Sequence, residues 1–276
     1  MTKHITIIGA GWLGLPLTHH LSDSCRVFAS KTTPAGADAL KLEGIRSFCF
    51  HFEQSNSPLS DTLAAQQSEI VIGCFPPGFR QNKQDEYAHY WGYLVEQCKI
   101  AQVKKLVMIS TTGVYPNHPG VMTEQDASLT LAQDNADFST SARVLLTAEQ
   151  HVIDSGLDYA ILRFSGLIGP KRHPARFVPK LKQVSSRAPA NILHLDDAIG
   201  SVRYILEQEL SGIFNVTTPE TVSKAEFYQA ALDTVSSEAA LPPIVAQEDK
   251  QVSSDKLCRC GYSFHYQHTL DALRYL

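Results

Sequence analysis

The run His4-Ile-Thr-Ile-Ile-Gly-Ala-Gly-Trp-Leu-Gly-Leu-Pro-Leu17 constrains this chain more than any other segment. Its β-prone residues lead straight into Gly9-x-Gly11-x-x-Gly14, and an apolar helix start follows at once. A strand, a glycine turn and a helix in that order open a βαβ unit whose turn accepts a dinucleotide. Gly9 permits the tight turn out of the strand, Gly11 lets backbone N–H groups approach a pyrophosphate, and Gly14 lets the helix pack closely on the strand. Trp12 and Leu13, inside the turn, are expected among the cofactor contacts.

Downstream the same rhythm continues. Arg26–Ser30, Ile45–Phe50, Glu69–Phe75, Lys105–Ser110 and Tyr159–Phe164 read as strands, and Ala35–Glu43, Glu86–Ala101 and Thr140–Ser155 as helices between them. Such alternation specifies an α/β fold, a Rossmann-type doubly wound parallel sheet with ligands at the carboxyl ends of its strands. The rhythm breaks at the basic segment Pro170–Pro189. Residues 1–169 are therefore expected to form an NAD(P)-binding domain, with a helix near 196–210 packing on it, and residues 170–276 a small C-terminal substrate lobe.

Composition narrows the class. A chain of 276 residues, 43% hydrophobic and 19% charged, can bury a sizeable core and matches an ordinary soluble protein. A formal charge of −4 gives no reason to expect nucleic acid as a partner. The longest apolar stretches are strand-sized, so no membrane span is expected. The first strand begins too close to Met1 for a secretion signal, and six scattered cysteines suit reduced thiols in the cytoplasm. Cys258-x-Cys260 with His265 and His268 matches no common zinc module, so no metal is expected. Tyr87, Tyr90, Trp91, Leu94, Val95 and Cys98 form an apolar stripe at helical spacing. It reads first as core, and with the helix after Thr140 as a candidate homodimer face.

The form of the cofactor is read at the end of the second strand. There an Asp or Glu accepts hydrogen bonds from the ribose of NAD, whereas a basic residue accommodates the 2′-phosphate of NADP. This chain has Ala29-Ser30-Lys31-Thr32-Thr33, with no carboxylate before Asp38. Lys31 with Ser30 and Thr32 favours NADP, with NAD as the alternative. Past the fourth strand, Cys74-Phe75-Pro76-Pro77-Gly78 would give a rigid apolar wall beside the adenine or pyrophosphate.

Later segments carry a family resemblance. Met108-Ile-Ser110-Thr111-Thr112-Gly113-Val114-Tyr115-Pro116 resembles the Ser-Ser-x-x-Val-Tyr-Gly segment of the extended short-chain dehydrogenase/reductases, the nucleotide-sugar epimerases and dehydratases. Ala148-Glu149-Gln150, Ile161-Leu-Arg163-Phe-Ser-Gly166-Leu-Ile-Gly169-Pro170, Asn191-Ile-Leu-His194-Leu-Asp196-Asp197 and Gly212-Ile-Phe-Asn215-Val216 resemble further segments of that family, in the same order. The resemblance implies NAD(P) chemistry, with Thr111 at the position that hydrogen-bonds the reacting oxygen. Ser110 is expected among the cofactor contacts.

The departures bear on catalysis. The family's Tyr-x-x-x-Lys pair would fall on Ser141 and Leu145, and no such pair occurs anywhere in the chain. An aliphatic alcohol without an activating base is too weak an acid, and Leu brings no charge. The fingerprint is also Gly-x-Gly-x-x-Gly rather than the extended family's Gly-x-x-Gly-x-x-Gly. These features resemble the atypical short-chain dehydrogenase/reductases. The expected function is an oxidoreductase or epimerase-like enzyme on a small carbonyl or nucleotide-sugar substrate, with Thr111 or Tyr115 as proton-handling candidates. The alternative is a non-catalytic NADP-binding sensor or scaffold. A relative of the 6-phosphogluconate or UDP-glucose dehydrogenases, suggested by the opening glycines, lacks room for their large helical dimer domain.

Two polar groups complete the reading. Asp196 and Asp197 stand before an expected helix Ala198–Glu209, where a carboxylate caps free N–H groups. Lys171, Arg172, His173, Arg176, Lys180, Lys182 and Arg187 concentrate positive charge, and Arg172 and Arg176 are candidate contacts for an anionic small-molecule substrate.

Overall fold

The computed structural model describes residues 2–53, 58–78 and 84–276, so Met1 of the expected first domain lies outside the described residues. In chain order the elements are β1 (His4–Ile8), α1 (Gly14–Ser22), β2 (Arg26–Lys31), α2 (Pro34–Leu42), β3 (Arg46–Cys49), α3 (Leu59–Ala65), β4 (Ile70–Gly73), α4 (Gln84–Ile100) and β5 (Lys105–Thr111). There follow β6 (Gly120–Met122), α5 (Leu129–Ala132), α6 (Thr140–Ile153), β7 (Asp158–Phe164), β8 (Gly166–Ile168), β9 (Val184–Ser185), β10 (Ile192–His194), α7 (Leu195–Glu207) and β11 (Gly212–Val216). The chain ends with α8 (Lys224–Thr234), β12 (Ile244–Val245), β13 (Lys250–Val252), α9 (Asp255–Arg259) and α10 (Thr269–Leu273).

Seven strands form one sheet in the order β11-β7-β5-β4-β1-β2-β3, and β1 to β5 pair in parallel. Both faces of this sheet are covered, which is why its inner strands read as continuous apolar runs rather than alternating ones. Ile5, Ile7, Val71, Ile72, Leu106 and Val107 are fully buried. β1 lies between β2 and β4, so the strand order reverses there and leaves a crevice at the carboxyl ends. Among the described residues no helix is long and apolar enough to cross a membrane.

The chain divides into two compact units, but not by one cut at Gly169 as the sequence suggested. The first holds the described residues of 1–110 with 143–162 and 205–213, and the second holds 111–142, 163–204 and 214–276. The chain leaves the first unit near the carboxyl ends of β5 and β7 and inside β11, and returns along α6 and α7. Segments inserted at those strands do not disturb the sheet, so the second unit is assembled from three separate pieces.

Candidate functional site

The crevice beside β1 lies within the first unit, and its floor is the glycine turn. Gly9 has φ +102°, in the left-handed region that favours glycine. A Cβ on Gly14 would stand 2.2 Å from the Gly9 carbonyl oxygen, so close packing of α1 on the turn requires glycine there. Gly11 differs, because a Cβ there would meet no atom within 4 Å and its φ lies outside the left-handed region. Nothing in the protein demands glycine at position 11. A ligand lying on the backbone would.

Two bonds lace the turn to β2. Gly9 N–H donates to Ser30 Oγ at 2.9 Å, and Ala10 N–H to the Ser30 carbonyl at 2.9 Å. α1 starts at Gly14 with no side chain capping it and no acidic residue in its first turn. Leu15 N–H already donates to the Gly11 carbonyl at 3.0 Å and Pro16 has no N–H, so what the helix start offers an anion is chiefly its positive dipole end, which no acidic side chain offsets.

Above this floor lies a cleft of about 410 Å³. Gly9, Gly11, Ser30, Lys31, Thr32, Phe75 and Pro76, all expected from the sequence, line it. Trp12, Leu13, Gly14 and Pro77 are not among its lining residues; Leu13 is buried and Gly14 serves the helix packing. Phe50, His51 and Phe52, just past β3, and Tyr90 of α4 line it as well, and the sequence reading missed them. The available signal was the position of Phe50-His51-Phe52 at the carboxyl end of a strand.

An aromatic stack builds the wall. Phe52 stacks on Tyr90 at 4.5 Å and meets Phe75 edge-on at 4.9 Å, and Phe75 stacks on Trp91 at 4.8 Å. Tyr87, Trp91, Leu94, Val95 and Cys98 are buried, so most of the α4 stripe is core, while Tyr90 turns to the cleft. The Tyr90 hydroxyl is shared between the carboxylates of Glu53 and Glu86, the latter at 2.7 Å. Among the described residues no Asp or Glu lines the cleft. Burial pushes the Cys74 thiol up to about 12, so it stays neutral.

The candidates around β5 separate. Ser110 is not a cleft residue: its hydroxyl donates to Glu149 of α6 at 2.6 Å, and both side chains are buried. Leu145 of α6 is likewise buried, in a position where a lysine would face a large desolvation cost.

In the second unit, Thr111 is half-buried and its Oγ1 accepts from Gly113 N–H at 3.2 Å, capping a short 3₁₀ turn. Tyr115 leaves the set of candidate acids. It is 1% exposed, donates to Asn215 Oδ1 at 2.6 Å and accepts from Arg163 Nη1 at 3.1 Å. Burial raises its pKa to about 12, against the lowering effect of Arg163 and Asn215. Fully buried Arg163 also donates to the carbonyls of Glu124 at 3.1 Å and Ala127 at 2.9 Å. This is a structural polar network, satisfied at each member named.

The remaining polar candidates of this unit are also structural or peripheral. α7 begins at Leu195, so Asp196 and Asp197 lie in its first turn rather than before it. Asp197 accepts from His265 N–H at 2.6 Å and Tyr266 N–H at 3.1 Å, and so tethers the C-terminal segment. His268 Nδ1 accepts from Leu270 N–H at 3.1 Å and caps α10. Arg176 Nη1 donates to the Lys171 carbonyl at 2.9 Å. Neither Arg172 nor Arg176 lines a cavity of about 330 Å³ in this unit, where Lys224 pairs with Asp249 at 2.7 Å beside Tyr228.

Residues 10–190 match a family described as NAD(P)H-binding. The chain is 28% identical to Protein YeeZ of Escherichia coli (strain K12), over 97% of this chain and 98% of that protein. Among solved structures it resembles UDP-glucose 4-epimerase of Thermus thermophilus in complex with NAD, with TM-score 0.75, 17% identity and 99% of each chain covered. It also resembles UDP-glucuronic acid 4-epimerase of Bacillus cereus in complex with NAD, with TM-score 0.74, 18% identity and coverage of 99% and 97%.

Proposed function

Since the chain belongs to the NAD(P)H-binding family, we propose that it binds NADP(H) in the cleft beside β1 and acts as an oxidoreductase on a small or nucleotide-linked carbonyl substrate. The observation that carries the NADP reading is Lys31, which lines the cleft with Ser30 and Thr32 while no carboxylate among the described residues does. A ribose diol is held by an acceptor, whereas a 2′-phosphate needs a cation and donors.

In this reading Gly9, Gly11 and the first turn of α1 hold the pyrophosphate, Lys31 the 2′-phosphate, and Phe75 with Pro76 the adenine side. When bound, a reduced nicotinamide would supply the hydride for a substrate carbonyl. Thr111, whose Oγ1 accepts from Gly113 N–H, is the residue that the family resemblance offers to the substrate oxygen. With Tyr115 committed to its network, the proton comes from solvent or through Thr111. The free thiols of the six cysteines suit a cytoplasmic setting.

Leu145, buried where the resembling enzymes carry their lysine, favours a second reading, a sensor that binds NADP without turnover. Fluorescence titration with NADPH and NADH tests the binding. The proposal expects tighter binding of NADPH, with the preference shifting toward NADH in Lys31→Asp. If neither cofactor binds at micromolar levels, both readings fail. A screen of carbonyl and nucleotide-sugar substrates, read by oxidation of NADPH, then separates enzyme from sensor.

A further inference from the structure

Among the described residues of α4, Tyr90 lines the cleft, and it grips the segment past β3 in two ways. β3 ends at Cys49, and Phe50 N–H donates to the Lys31 carbonyl of β2 at 2.8 Å. Phe52 and Glu53 lie beyond the strand, yet Phe52 forms part of the wall. Its ring meets four others: Tyr90 stacks on it at 4.5 Å and 13°, and Phe75, Phe50 and Tyr93 meet it edge-on at 4.9, 5.0 and 6.1 Å. The Tyr90 hydroxyl reaches the next residue, donating to the carboxylate of Glu53 and to that of Glu86, one helical turn back on α4, at 2.7 Å. Tyr87, Trp91 and Leu94 are buried and seat the same helix in the core.

We propose that Tyr90 is a positioning residue for the cofactor: its ring and hydroxyl together clasp Phe52 and Glu53 to α4, and so hold the wall ready for a dinucleotide. This role rests on binding of the cofactor in the cleft, as proposed above. Burial, with the carboxylates of Glu53 and Glu86, raises the Tyr90 hydroxyl, so at neutral pH it keeps the hydrogen that it donates. A hydrogen bond to an ionised acceptor is one of the stronger kind. Without it, ordering of the segment past β3 would draw on the cofactor's own binding energy, and affinity would fall by that amount. Lys31 would tell NADPH from NADH, whereas the clasp acts on a wall that both forms share. It therefore sets affinity for the two alike.

The experiment titrates the full chain with NADPH and NADH by fluorescence, comparing wild type with Tyr90→Phe, Glu53→Ala, Glu53→Gln and the double variant Tyr90→Phe/Glu53→Ala, each under conditions where a denaturant melt shows it folded. Phenylalanine keeps the stacked ring and Glu53 is exposed, so neither change empties the core. Tyr90→Phe and Glu53→Ala are each expected to bind both cofactors about five- to tenfold more weakly. Because both cut the same bond, the double variant should be no weaker than the weaker single one. Glu53→Gln keeps an acceptor oxygen and should recover part of the loss, which a role confined to the stability of α4 would not produce. If Tyr90→Phe or Glu53→Ala binds both cofactors like wild type, the inference is overturned and the cofactor reading stands. Losses that multiply in the double variant show the two side chains acting separately, and a loss confined to NADPH places Tyr90 at the 2′-phosphate; either result also overturns it. If wild type binds neither cofactor, the cofactor reading fails and takes this inference with it.

Discussion

Glycine at positions 11 and 14 answers to different neighbours, and single substitutions expose the difference. Gly14→Ala drives a methyl to 2.2 Å from a backbone oxygen that cannot rotate away, so it should lower stability by about 1–3 kcal/mol or more. Gly11→Ala meets no atom of the protein, so its unfolding curve should overlay the wild type while NADPH affinity falls at least about tenfold. Denaturant melts and cofactor titrations of the two variants, measured side by side, check this. A destabilised Gly11→Ala that still binds NADPH would overturn the assignment. His194 makes a second residue-scale case. It is 2% exposed, its Nδ1 accepts from Asp196 N–H at 3.1 Å, and its Nε2 is buried with no hydrogen-bond partner among the described residues. Burial lowers its pKa from 6.5, against an opposing pull from Asp196. A histidine with a depressed folded pKa binds fewer protons folded than unfolded, so its stabilising contribution is present above the unfolded value. It is lost as pH falls below about 6.5 toward the folded one. His194→Gln should flatten the fall of melting temperature between pH 7 and pH 5; parallel slopes for wild type and variant would rule the mechanism out.

Between elements, fit is set by single contacts whose two sides lie far apart in sequence. A Cβ on Gly73 of β4 would lie 2.3 Å from the Trp91 ring of α4, and Trp91 is fully buried. Gly73→Ala should therefore cost about 1–3 kcal/mol by overpacking. It should also weaken cofactor binding, since Trp91 backs Phe75. A variant as stable as wild type would mean that α4 shifts freely on the sheet. Tyr115→Phe removes a hydroxyl that both Asn215 and Arg163 use, and should cost about 1–3 kcal/mol in a urea melt. Any residual turnover per folded molecule should survive, which a catalytic acid at this position would not allow. Element boundaries were largely legible: β2, α2, α4, β5, α6 and β7 begin and end within two residues of the positions expected from periodicity. The role of Tyr115 was not legible. Its partners lie 48 and 100 residues away, and read locally it is a tyrosine four residues past Thr111 with no sign of what it bonds.

For the whole molecule, the fingerprint was legible because the backbone angle that favours glycine at position 9 and the Gly9 carbonyl that excludes a Cβ at position 14 both lie within the turn itself. The wall opposite was not, because Phe50, His51, Phe52 and Tyr90 meet only once the sheet order β4-β1-β2-β3 is set. The make-up of the second unit from three pieces escaped for a related reason: the sequence showed one break in the rhythm, at Pro170–Pro189, whereas the departures near the ends of β5 and β7 and inside β11 emerge only once the sheet is assembled. A ligand that binds only the folded cleft stabilises by mass action, about 2.7 kcal/mol at a hundredfold excess over Kd. NADPH should accordingly raise the melting temperature, Lys31→Asp should remove most of that rise, and an unchanged melt at saturating NADPH would contradict binding to the native state. The aromatic wall also has an optical consequence. The chain has two tryptophans, Trp12 in the glycine turn and Trp91 stacked behind Phe75. Neither lines the cleft, yet one sits in the turn that floors it and the other behind its wall, and a reduced nicotinamide within range would accept energy from excited indole. The protein carries its own lamp for the cofactor, and the quenching of its native emission reports occupancy without any label.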